Sequence, residues 1–131
     1  MSDQRPGGQL LMVGKRVVVA RCLLLVALAV IGWIATFSPW QPFAGVSDKL
    51  RHVAAFLLLT ALVWQSFPAW SATRRITVMV LLALGVELVQ TLTPTREFHL
   101  DDLAASVAGT LLFEFARAGR AVIRSGGARQ S

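Results

Sequence analysis

Hydrophobic positions along the chain gather into four runs separated by short polar stretches. The first covers residues 17–38, with one charge, Arg21, near its start, and Ser38-Pro39 ends it. About 20 apolar residues cross a hydrocarbon core of about 30 Å, so this length predicts a transmembrane helix. A cleaved signal peptide fits less well, since it has a shorter apolar core and small residues before the cut, whereas Pro39 and Pro42 stand here. The second run, residues 52–67, is stopped by Pro68, with Ser47 placed to cap the helix and Asp48 in its first turn. The third, residues 76–92, contains Glu87 and Gln90 and ends before Pro94. The fourth opens near Asp101-Asp102 and reaches residue 123, interrupted by Glu114, Arg117 and Arg120. Those long side chains predict either snorkelling toward headgroups or a helix lying partly in the interface.

The pattern predicts an all-α bundle of about four transmembrane helices over residues 16–123, with polar tails at 1–15 and 124–131. Short connections make helices adjacent in sequence antiparallel neighbours. Composition agrees: of 131 residues, 55% are hydrophobic and 15% charged, against about 25% charged in soluble domains. The one cysteine, Cys22, lies in an apolar run and reads as a small buried side chain.

Net charge is +6. The basic residues flank apolar runs and form no nucleic-acid-binding motif, so they report topology and no nucleic-acid partner is expected. Ten of them fall before or at the start of run one, between runs two and three, or at the chain's end, and only Lys49, Arg51 and Arg96 lie on the other side. The larger set marks the cytoplasm, so both termini are expected inside and the loops around residues 39–51 and 93–101 outside. Trp40, Trp64 and Trp70 near run ends suit interfacial anchors.

Most of the acids then fall on the outer side: Asp48, Glu87, Glu97, Asp101 and Asp102, leaving Asp3 and Glu114 elsewhere. Glu87 lies about 18 Å along its helix from Arg75, at 1.5 Å per residue, inside the outer half of the hydrocarbon. Such a carboxylate faces the bundle interior and is either a structural ion pair or hydrogen-bonded acid, or a functional group. Gln90, three positions on, shares its face. Asp48 and His52 are four apart, which fits an acid–base pair or a cap with a helix-dipole contact. Metal ligation by Asp48, His52, Glu87 and Asp102 matches no recognised zinc spacing, and no metal or cofactor is expected. Asp102, Ser106 and Gly109 form one stripe on the fourth helix, and Ala105 with Gly109 is a small-xxx-small pair suited to close helix approach. Ser106 and Gly109 read first as packing residues. No nucleophile elbow, phosphate loop, redox dithiol or zinc-protease motif is present in the sequence.

Asp48-Lys49-x-x-His52-x-x-x-Phe56, Glu87-x-x-Gln90, Pro94-x-Arg96 and Asp102-x-x-x-Ser106-x-x-Gly109 together resemble the signatures of the VanZ-like membrane protein family, over residues 46–115. The chain departs from the family pattern at Thr95, where Gly is usual, and at Ser106, where Asn is usual. The resemblance implies a small helical protein of the bacterial plasma membrane. The family's namesake is linked to low-level resistance to teicoplanin, a glycopeptide acting on cell-wall precursors outside the membrane. The resemblance brings a context and no reaction. Three readings follow. Asp48, His52, Glu87, Gln90, Arg96, Asp102 and Ser106 line an outward polar pocket for a lipid headgroup or lipid-linked envelope precursor. Or the chain is an enzyme acting on such a substrate, with His52 or Glu87 as acid–base. Or the polar residues fix helix register in a scaffold for an envelope partner. Membrane lipids are partners in each, and a homo-oligomer is open.

Overall fold

The computed structural model describes residues 6–37, 45–92 and 98–127, with side chains at 12–34, 45–92 and 98–125. Trp40, Pro94, Thr95, Arg96 and Glu97, singled out from the sequence, lie outside the described residues. The described chain is all-α, with four helices and no strand: α1 (Pro6–Phe37), α2 (Asp48–Ser66), α3 (Ala72–Gln90) and α4 (Leu100–Gly127).

Each apolar run became one helix, and the helices extend past the runs. α1 begins at Pro6, well before the first apolar run, and α4 continues through Gly127. Helical backbone bonding has no reason to stop where apolarity stops, and Pro at a first helical position costs nothing because its missing N–H has no partner there. α2 is capped as expected, with Leu50 N–H donating to Ser47 Oγ at 3.3 Å. α3 starts the same way, Arg74 N–H donating to Ser71 Oγ at 3.2 Å. α2 ends at Ser66, two residues before Pro68.

Adjacent helices are neighbours, and the most extensive packing joins α2 to α4. Residue pairs across that contact advance together, from His52–Ser106 to Thr60–Thr110 and Trp64–Phe113, so α2 and α4 run parallel. α3 runs against α4, since Arg75 meets Glu114 and Glu87 meets His99. α1 lies on α2 and α3, with Arg21 Nε donating to the Ser66 carbonyl at 3.2 Å. A core of Leu24, Phe56, Leu59, Leu62, Val63, Met79 and Ala83 joins the first three helices.

Polarity is inverted relative to a soluble domain. Among the described residues, eight polar or charged side chains are buried against nine apolar ones. Meanwhile large apolar side chains such as Leu25, Trp33, Leu81, Leu112 and Phe115 stand exposed. Soluble monomers rarely expose contiguous apolar surface on this scale. Among the described helices, one has a stretch long and apolar enough to cross a membrane, Met12–Ile34 in α1, and most of it is exposed.

Candidate functional site

The close approach of α2 and α4 builds the site. A Cβ on Gly109 would sit 2.3 Å from the Val53 carbonyl oxygen and 3.1 Å from Leu57 N, so only glycine lets the two backbones come this near. Ala105, one turn earlier, is buried as well. This contact brings the first turns of α2 and α4 side by side. His52 Nδ1 lies 3.1 Å from Ser106 Oγ, and His52 Nε2 lies 3.9 Å from Asp102 Oδ2. Ser106 Oγ also donates to the Asp102 carbonyl at 2.9 Å. Ser106 therefore does more than pack: it links the imidazole to α4.

α3 supplies the third wall. Glu87 is 1% and Gln90 5% exposed, so both point inward as their spacing predicts. Glu87 Oε2 accepts the His99 backbone N–H at 3.4 Å, a long bond. Its other oxygen, Oε1, is buried with no hydrogen-bond partner among the described residues. One ligand atom each from His52, Glu87 and Asp102 lies within 4.8 Å of the others, drawing three helices to one point.

Asp48 takes a different position. It is exposed and pairs with Arg51 on its own helix, and the carboxylate nearest the His52 ring is Asp102. Lys49 reaches Asp101 at 2.7 Å, an exposed ion pair that ties the starts of α2 and α4. That hydrogen bond and charge raise the Lys49 ammonium above its ordinary pKa. Of the seven pocket residues expected from the sequence, His52, Glu87, Asp102 and Ser106 are brought together, Gln90 is buried one helical turn from Glu87, Asp48 stands at the rim, and Arg96 is outside the described residues.

Sequence reasoning missed a second polar cluster at the other end of the bundle. Arg75 is 2% exposed and grips Glu114 with a two-pronged fork, Nε to Oε1 at 2.6 Å and Nη2 to Oε2 at 3.0 Å. Arg117 Nε adds a third bond to Glu114 Oε2 at 3.0 Å, and Arg75 Nη1 donates to the Trp70 carbonyl. From the sequence, Arg75 reads as part of the basic rim and Glu114 as a snorkelling side chain; both instead turn inward, because pairing spares two charges that would otherwise be buried alone. The signal was present. Asp102, Ser106, Thr110 and Glu114 recur every four residues on α4, and Thr110 and Glu114 are buried as Ser106 is, Thr110 to the same degree. Phe67 and Trp70 stack at 4.3 Å beside this cluster, with Arg21 5.2 Å from the Phe67 ring centroid and Arg74 4.5 Å from that of Trp70. This arrangement suits an interfacial rim.

Fold and site thus define a small all-α membrane protein whose inward-facing polar groups collect at two ends of a parallel helix pair. The chain matches the VanZ/LLP1 family over residues 7–115, and it belongs to that family. No curated protein matches the chain, and no solved structure does.

Proposed function

We propose that the chain is a multi-pass protein of the bacterial plasma membrane, with both ends cytoplasmic, whose outer helix ends form a polar pocket for the headgroup of a lipid or lipid-linked cell-envelope precursor. The observation supporting this reading is the convergence of His52, Glu87 and Asp102 from α2, α3 and α4. They meet at the end of the bundle far from the basic cluster of Arg21, Arg74, Arg75 and Arg117. Basic residues favour the cytoplasmic side, so the convergence faces out. In this reading Arg96 grips the anionic group, as a guanidinium suits a phosphate. Glu87 and Gln90 orient the ligand, and Asp102 with Ser106 holds the His52 ring. The family link to glycopeptide-type resistance favours an envelope precursor of the outer leaflet.

The test uses the full chain in nanodiscs containing bacterial envelope lipids, with native mass spectrometry of retained lipid. Wild type should retain a phosphate-bearing lipid that Arg96→Gln and His52→Ala lose. Equal retention by all three sinks the pocket. Conversion of the lipid by wild type, abolished in Glu87→Gln with retention intact, moves the reading to an enzyme.

A further inference from the structure

We propose that His52, Glu87 and Asp102 form a binding site for a divalent transition-metal cation such as Zn2+ or Mn2+. The site stands independently of any lipid ligand.

The first observation is geometric. One imidazole nitrogen and two carboxylate oxygens, from three helices, lie within 4.8 Å of one another. Metal–ligand bonds of about 2.1 Å hold ligand atoms about 3.0 to 4.2 Å apart. The His52 Nε2–Asp102 Oδ2 separation of 3.9 Å already falls in that range. The remaining closure is within small rotations of the three side chains. Too long for a hydrogen bond, that separation is natural for two atoms sharing a cation.

The second observation is the vacant oxygen of Glu87. Oε1 is buried and has no hydrogen-bond partner among the described residues, in a side chain 1% exposed. A buried carboxylate oxygen left unserved is costly. A cation at the point of convergence would satisfy it and offset two close carboxylates. The basic side chains on the same turn of α2 are committed elsewhere, Lys49 to Asp101 and Arg51 to Asp48.

The third observation concerns the imidazole. The Ser106 hydroxyl has one proton, and it goes to the Asp102 carbonyl at 2.9 Å. Ser106 Oγ therefore accepts from His52 Nδ1 across their 3.1 Å contact. The proton of a neutral ring is thereby held on Nδ1, and the Nε2 lone pair faces Asp102. A lone pair aimed at a carboxylate is repulsive unless a proton or a metal cation stands between them. Ser106 thus plays the outer-shell part usual for metal-bound histidines, fixing tautomer and ring direction. Its carrier, α4, is set against α2 by Gly109. His52 and Asp102 are each 19% exposed at the side chain, which leaves the open side of the cation toward the outside, as three-ligand sites do.

The test is titration of untagged, chelator-stripped full chain in micelles with Zn2+, and separately Mn2+, against a chromophoric chelator, paired with thermal unfolding. Wild type should bind one metal per chain and melt higher with metal. His52→Ala and Asp102→Asn, at the edge of the site, should bind at least about ten-fold more weakly and lose the melting shift while keeping wild-type helicity. Ser106→Ala should weaken binding by about 10- to 100-fold, and Asp48→Asn should leave it unchanged. Glu87→Gln should abolish binding without lowering metal-free stability. Absence of binding by wild type at micromolar metal overturns the proposal. So does undiminished binding by His52→Ala and Asp102→Asn, which would place the metal elsewhere.

Discussion

Substituting Gly109 by alanine tests whether the α2–α4 contact sets both fold and site. The added methyl would meet the Val53 carbonyl oxygen at 2.3 Å and Leu57 N at 3.1 Å. Both are backbone atoms of a helix, so neither can swing away, and the helices must part by about 1 Å to restore ordinary contact. Overpacking of this kind costs about 1 to 3 kcal/mol. Alanine returns up to about 1 kcal/mol of helix propensity. The rigid backbone clash at 2.3 Å belongs at the upper end of that range, so the net expectation is a loss of roughly 2 kcal/mol by these two terms. Separation also stretches the His52–Ser106 contact of 3.1 Å beyond hydrogen-bond range. The assay is reversible unfolding in mixed micelles of wild type, Gly109→Ala and Gly85→Ala, the last a control whose added Cβ meets nothing within 4 Å among the described residues. Gly85→Ala should be neutral or slightly stabilising. A Gly109→Ala chain as stable as wild type would refute the claim that this contact is tight.

At the basic end, Glu114→Leu should destabilise by about 3 to 5 kcal/mol, because it leaves the buried Arg75 charge uncompensated, and Arg75→Met should destabilise by less, because Arg117 still pairs with Glu114. The double variant should recover much of that loss in the same unfolding assay. For orientation, Cys22 is replaced by Ala and single cysteines are placed at Gly45 and Ser125. An impermeant maleimide on intact cells should label position 45 and reach position 125 only after lysis. Labelling in the opposite sense would reverse the topology. Expression of the chain in a teicoplanin-sensitive host should raise the inhibitory concentration, and His52→Ala should cancel the rise at equal protein level.

The four helices were legible because apolar runs punctuated by Ser38-Pro39, Pro68 and Pro94 leave few other arrangements. The Ala105–Gly109 pair disclosed the close approach, and Glu87 and Gln90 disclosed the inward face of α3. The dominance of α2–α4 packing was not legible, since chain order favours sequence neighbours and says nothing of which pair of helices packs most closely. Arg75 was misread because a rim arginine and a buried arginine share the same sequence position beside a turn. Only the partner four turns into α4 tells them apart, and that partner, Glu114, is distant in sequence. Spacing alone allowed Asp48 and His52, four apart on one helix, to be an acid–base pair; in space Arg51 takes Asp48 and His52 faces Asp102.

The four-residue polar stripe of α4 also bears on how the chain reaches its place. Asp102, Ser106, Thr110 and Glu114 all turn toward α2 and α3. Ionisable side chains inside a membrane segment are costly unless they face partners, so this segment is poorly suited to partition into lipid unaccompanied. α1 has no such handicap. In the multi-pass arrangement proposed above, this orders insertion: α1 suits an autonomous span, and α4 suits the bilayer once α2 and α3 are alongside to shelter its acids.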